Sequence, residues 1–176
     1  MVVTGRNETA LQKLVAACNT EFGNHKVHYR VAETTNEEQV RALVDFTIAK
    51  FGRLDILILA AGIAAHSTFE DIENLEILRQ VMETNYMGAV TLSKYALSEL
   101  RKSKGQIVVI GSLSGRMGFP LRSAYCASKA AVHLFFKSLA VEESEIRVCI
   151  MMLDSFSGTN FRNNSLIKGN ILKEHR

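Results

Sequence analysis

Three stretches of this chain are apolar on both faces: LDILILAAG at 54–62, GQIVVIGS at 105–112 and IRVCIMML at 146–153. A strand without polar alternation has no side to give to water, so it belongs inside a parallel sheet. The segments between these runs carry helical spacing. Leu11, Leu14, Val15 and Cys18 line one face of a helix over 8–22, closed by Gly23. Thr35 and Glu38 form a capping-box pattern for a helix through Lys50 that stops at Gly52. Residues 71–84 and 87–103 read as two helices with a break near Asn85, and 124–143 as one long helix. Val2-Val3 and the alternating 26–32 segment supply two shorter strands. Strand and helix in alternation predict an α/β fold, a doubly wound parallel sheet with helices on both faces.

Bulk properties narrow the function classes. A length of 176 residues with 47% apolar and 22% charged residues suits one globular domain. A net charge of +3, with no basic run longer than Arg101-Lys102, gives no footprint for nucleic acid. The longest apolar run, Ile56 to Ala65, has ten residues, about half of a membrane span, and Met1 leads straight into strand-like residues without a signal-peptide pattern. Cys18, Cys126 and Cys149 share no CxxC spacing, which reads as buried structural thiols in a reducing compartment, cytoplasmic as the chain stands. His25 and His28 point to opposite faces of a strand, while His66 and His133 lack acidic or cysteine partners at ligand spacing, so no metal site is expected. The single Pro120 and the lack of repeats give no internal linker.

The chemistry concentrates in GSLSGRMGFPLRSAYCASKAAV at 111–132. Tyr125 and Lys129 are four apart near the start of a helix and share one face. A phenol has a reference pKa of about 10, and an ammonium beside it favours the phenolate, which makes Tyr125 a usable general acid or base. Taken alone, Tyr-x-x-x-Lys is a weak signal, since an amphipathic helix with a half-buried Tyr and a solvated Lys produces it equally well. Its context is more specific. Ser112 ends an apolar strand 13 residues earlier, where open α/β sheets place their ligands, and Asn85 lies 40 residues before Tyr125, at the helix break. GSLSG has Leu113 at the centre, so it is no Gly-x-Ser-x-Gly nucleophile turn, and Cys126 reads as a small packing residue.

This combination resembles the short-chain dehydrogenase/reductase family, and VMETNYMGAVTLSK with FPLRSAYCASKAA is most similar to its 11-beta-hydroxysteroid dehydrogenase branch. The resemblance runs from about Val2 to Asn164 and implies a Rossmann-like fold over 1–164 followed by a polar tail at 165–176. It also implies roles. Ser112 holds the substrate oxygen, Tyr125 transfers the proton, Lys129 tunes the tyrosine and holds the nicotinamide ribose, and Asn85 anchors a relay water. Arg6 matches a cation set against the 2′-phosphate, and Gly5 stands where NAD-preferring members carry an acid, so the implied cofactor is NADP(H) in preference to NAD(H). Glu33 stands in for the Asp near adenine. Ala61 and Gly62 close Leu59-Ala60-Ala61-Gly62, where the family has Asn-Asn-Ala-Gly, and Leu153-Asp154 replaces a Pro-Gly. Thr159 is the candidate cap for the carboxamide. The implied activity interconverts a carbonyl and an alcohol on a small hydrophobic, steroid-like or lipid-like substrate, and the implied partner is a second subunit packed through the 87–103 and 124–143 helices. Some members are anchored in the endoplasmic reticulum.

The opening MVVTGRNETALQKL then reads as the family's second strand. In a sheet ordered 3-2-1-4-5-6-7, the resemblance predicts that the first strand, its Thr-Gly-x-x-x-Gly-x-Gly phosphate loop and the seventh strand are missing. Gly111, Gly115 and Gly118 belong to the serine loop and do not replace that turn. The expected consequence is a gap in the sheet, with unpaired backbone groups costing on the order of 1–3 kcal/mol each, and a helix N-terminus lost to the pyrophosphate. The alternative to an enzyme is an inert chain that serves as a dimerisation partner.

Overall fold

The computed structural model describes residues 1–23, 26–153 and 165–166. Strand β1 (Val2–Gly5) leads through Asn7, whose side chain caps the helix by accepting from Ala10 N, into α1 (Glu8–Phe22). Strand β2 (His28–Val31) and α2 (Glu37–Phe51) follow. Asn36, not Thr35, caps α2, because its Oδ1 accepts from Gln39 N at 3.0 Å; the helix ends on Gly52 at φ 72°. Then come β3 (Ile56–Leu59), α3 (Glu76–Met82), α4 (Gly88–Ser103), β4 (Gln106–Ser112), α5 (Ser123–Glu142) and β5 (Arg147–Leu153).

The expected break at Asn85 is not a break. Helices α3 and α4 are joined by a π turn over Glu83–Met87, so the chain stays helical and accommodates one extra residue. A 3₁₀ turn over Leu113–Gly115 follows β4.

All described strands pair in parallel, in two separate sheets. β1 pairs with β2 in the register Val2↔His28, and β4 lies between β3 and β5 in the registers Ile56↔Gln106 and Gln106↔Arg147. No ladder bonds join β1 to β3. The two sheets are thus the parallel α/β arrangement that the alternation predicts, with the interruption the strand order requires.

One cluster unites the inward positions of α2 (Val40, Leu43), α4 (Leu92, Ala96, Leu100) and α5 (Val132, Phe136, Leu139) with Leu59, Ile107 and Val109 of the sheet. Burying such side chains contributes roughly 1.5–3 kcal/mol each. Alternation then sends Ile56 and Ile58 to the other face of β3. These two are 57% and 59% exposed. The expectation that LDILILAAG is covered on both faces therefore fails at this strand, because no described element lies over that side of it. The thiols also depart from expectation. Cys18 and Cys126 are half-buried and Cys149 is exposed, so none is a core thiol.

Candidate active site

The tip of β4 delivers Ser112, and the first turns of α5 deliver Tyr125 and Lys129. Ser112 is extended (φ −155°, ψ 149°) and its Oγ accepts from Ser114 N at 3.2 Å, which ties the hydroxyl to the turn that follows. The Ser112 side chain lies close enough to the Tyr125 phenol to lower its pKa. Two hydroxyl-bearing side chains thirteen residues apart in sequence are therefore brought near each other at the carboxyl end of the sheet. A carbonyl oxygen placed there would meet both as donors.

Lys129 lies one turn further along the same face of α5, with Nζ 5.8 Å from the Tyr125 ring centroid. Its Nζ donates to the Ile110 carbonyl at 2.9 Å. Burial pushes the Lys129 ammonium down to about 8. The expected lowering of the tyrosine by this lysine is not what the geometry gives. Burial raises the Tyr125 phenol above its ordinary value, while the Ser112 hydroxyl and the positive charge of Arg122 offset only part of that rise.

The buried ammonium has a consequence for stability. A lysine whose folded pKa is depressed costs stability below that pKa, and the cost fades as pH rises toward the unfolded value near 10.5. Lys129→Met should therefore stabilise the fold at pH 7 by about 1–2 kcal/mol, after loss of the bond to Ile110. The gain should shrink between pH 8 and 10.5. Urea denaturation of both chains across that range checks this, and a difference flat in pH would contradict it.

Asn85 sits in the π turn and is only 2% exposed. Its Oδ1 accepts from Ile63 N at 2.7 Å, and its Nδ2 donates to the Ile63 carbonyl at 3.0 Å and to Ser128 Oγ at 2.9 Å. Ser128 Oγ donates in turn to the Tyr125 carbonyl at 2.8 Å. The amide thus braces the loop after β3 against the first turn of α5, and its side chain is committed to these protein groups. The expected water anchorage would have to use the backbone of the π turn. Gly62 permits the approach, since a Cβ there would lie 3.2 Å from Asn85 Oδ1.

A second group of predicted residues gathers at the ends of β1 and β3. Arg6, Glu33 and Gly62 line one cavity of about 800 Å³ together with Thr35, Arg79 and Glu83. The Arg6 guanidinium contacts Glu33 at 3.4 Å, with both side chains well exposed, a pairing worth little by itself. Ala61 is exposed and is not among the residues lining this cavity. Thr159 and Asp154 lie outside the described residues. Leu166 also lines the cavity, where its N–H donates to the Ala64 carbonyl at 2.9 Å. The cavity does not include Tyr125 or Ser112; the two groups of residues are linked through Gly62, Ile63 and Asn85.

Sequence reasoning missed Ser128, whose fully buried hydroxyl joins Asn85 to α5, and His133, one turn beyond Lys129. The spacing of 125, 129 and 133 along one helix face was the available signal for the latter.

Comparison with known proteins is consistent with this arrangement. A family model described as short chain dehydrogenase matches residues 1–166. The chain is similar to 11-beta-hydroxysteroid dehydrogenase A of Arachis hypogaea, 39% identical over 152 residues that cover 86% of this chain and 43% of that protein. It is similar to dehydrogenase/reductase SDR family member 7B of Xenopus tropicalis, 35% identical over 159 residues that cover 88% of this chain and 51% of that one. The chain therefore spans about half the length of these curated relatives, or less. Among solved structures, an alcohol dehydrogenase of Thermococcus sibiricus complexed with 5-hydroxy-NADP superposes with a TM-score of 0.86 at 20% identity, over 96% of this chain and 71% of that one. A likeness at that identity concerns the fold.

Proposed function

Since the chain belongs to the short-chain dehydrogenase family, we propose that its site serves an NADP(H)-dependent oxidoreductase that interconverts a carbonyl and an alcohol on a small hydrophobic substrate. The observation that carries this reading is the placement of the Tyr125 phenol near the Ser112 side chain at the tip of β4, with Lys129 beneath it on α5. The cofactor supplies or takes the hydride at carbon. The chain's own residues manage the oxygen: Ser112 orients it and Tyr125 gives or takes its proton. Asn85 and Ser128 fix the helix turn that carries the phenol, so the two hydroxyls stay in register. A phenol raised above its ordinary pKa stays protonated at neutral pH, the form that can give its proton to a carbonyl oxygen.

The preference for NADP(H) rests on Arg6. Its guanidinium stands at the end of β1 beside Glu33 and lines the cavity that Gly62 also borders. A planar cation at an exposed edge suits a phosphate monoester. The residues present fit the nucleotide only in part, because no Thr-Gly-x-x-x-Gly-x-Gly turn occurs in the sequence and the pyrophosphate needs such a cradle.

The test compares two proteins in the same assay: the chain alone, and the chain extended at its amino end by a strand, that glycine-rich turn and a helix. The extended chain should oxidise NADPH with a hydrophobic ketone, and the chain alone should bind NADPH more weakly than the micromolar range. Arg6→Ala in the extended chain should erase about tenfold of the preference for NADPH over NADH, about 1.4 kcal/mol. No ketone-dependent turnover in a folded extended chain would overturn the reading.

One observation favours a second role, as a pairing subunit. Leu134 and Val141 of the long helix α5 are 69% and 86% exposed. An apolar outward face of this kind suits a second copy of the helix pair. Sedimentation of the chain should give a dimer that Leu134→Lys converts to monomer.

A further inference from the structure

The imidazole of His133 lies under the loop that carries Ser112. It is 5% exposed and sits in a slot between two glycines four residues apart. A Cβ at Gly111 would lie 2.7 Å from Nε2, and one at Gly115 would lie 2.7 Å from Nδ1. Any larger residue at either position would collide with the ring. Gly111 immediately precedes Ser112, and Gly115 ends the 3₁₀ turn that immediately follows it. The ring thus touches the serine loop at both of its ends.

Its two nitrogens are treated differently. Nδ1 lies at the Gly115 end of the slot, where the backbone favours a protonated ring nitrogen. Nε2 is buried and meets no hydrogen-bond partner among the described residues. A neutral ring protonated at Nδ1 leaves only a bare lone pair facing Gly111. A charged ring would place a second N–H and a net charge against that glycine with no acceptor in reach, which is costly in a buried site.

The surroundings offer no compensation. From α5 the ring faces Lys129 and Lys137, and from the end of the serine loop it faces Arg116, so the charges acting on it are all positive. On the sheet side the slot is walled by Gly111, Ile150 and the backbone of Met151.

We propose that His133 is a positioning residue, whose neutral imidazole props the Ser112–Gly115 loop so that the serine hydroxyl meets Tyr125, and whose protonation releases that loop in acid. The consequence for turnover rests on the reading of Ser112 and Tyr125 as the reacting pair; the loop contact itself does not. Burial together with the three cations lowers the imidazole below its ordinary value. The sign follows from that. Above the unfolded value of 6.5 the contribution is fully present, and it is lost as pH falls below 6.5 toward the folded value.

The test reads the ring and the loop directly, without turnover. In the chain labelled with ¹⁵N, long-range nitrogen–proton spectra should show His133 as the neutral tautomer protonated at Nδ1 at pH 7, with a titration midpoint below 6.5. The backbone amides of Ser112 and Gly115 should move with the same midpoint. In His133→Gln the side-chain amide can present an N–H toward Gly115 but cannot titrate, so those amides should keep their pH 7 positions and lose the pH response. A His133 that titrates at 6.5 or above, or loop amides that ignore its titration, would overturn the proposal. If His133→Gln does not fold, the wild-type titration alone decides. In the extended chain, His133→Gln should move the acid limb of kcat and leave KM within twofold. A working loop contact beside an unchanged acid limb would count against the reacting pair and not against the contact.

Discussion

Replacing Tyr125 by Phe in the amino-terminally extended chain should lower kcat for ketone reduction by 10²–10⁴-fold, the usual contribution of a positioned acid or base. That is about 3–5 kcal/mol of barrier. The ring stays and only the hydroxyl leaves, so packing in the first turns of α5 is kept. Ser112 retains its contact with Ser114 N, so stability should change by about 1 kcal/mol or less. Cofactor affinity should be unaffected within twofold. The distinguishing pattern is a large fall in kcat with an unchanged urea midpoint. Full turnover in Tyr125→Phe would remove the phenol from the mechanism. The raised pKa adds a second check: in the extended chain, the alkaline limb that reports ionisation of the phenol should lie above its ordinary value of about 10.

The largest effect on stability among the site residues is expected at Asn85. Truncation to Ala removes three hydrogen bonds at once and leaves the Ile63 N–H and carbonyl without their partner, in a place where the side chain is 2% exposed. Unsatisfied groups cost about 1–3 kcal/mol each, and solvent can recover part of that at the half-buried Ile63, so a loss of about 3 kcal/mol is expected. It should appear as a lower urea midpoint with an unchanged slope. Asn85→Asp is the sharper variant. Its carboxylate still accepts from Ile63 N but presents an acceptor to the Ile63 carbonyl and to Ser128 Oγ, so it should be at least as unstable as Ala at pH 7. Part of the loss should return as pH falls and the carboxyl gains a proton. A change under 1 kcal/mol in Asn85→Ala would mean that the brace between β3 and α5 is dispensable.

The parallel sheet could be read from two-faced runs such as GQIVVIGS, because a strand buried on both sides has no alternative environment. The same rule misread Ile56 and Ile58. Their letters fit an interior strand, but cover over one face depends on elements distant in sequence, and 57% and 59% exposure records the lack of it. Tyr125 and Lys129 were legible because helical periodicity puts positions four apart on one face. The direction of Lys129 toward the Ile110 carbonyl was not, since that partner lies 19 residues away on another element. Asn85 was picked out by its spacing and by the irregular helical pattern around it. Its partners, Ile63 and Ser128, are 22 and 43 residues distant, and local pattern carries no information about them. His133 was visible only as a lone histidine. The glycine pair that accommodates it was read as a loop feature, when its meaning lies in the ring that fills it.

The π turn at Glu83–Met87 constrains how this region can vary in length. An inserted residue shifts the helical phase of everything that follows by about 100° relative to an unbroken α-helix. Val81 and Asn85 face inward on one side of the shift, and Gly88, Leu92 and Ala96 face inward on the other. At Gly88 the fit is tight enough that a Cβ would lie 2.5 Å from Thr34 Oγ1. Deleting one residue would regularise the helix and, in the same stroke, rotate either the amide or the α4 seam away from its contacts. Substitutions can be absorbed here one at a time, whereas a single-codon deletion forces a choice between the brace and the core.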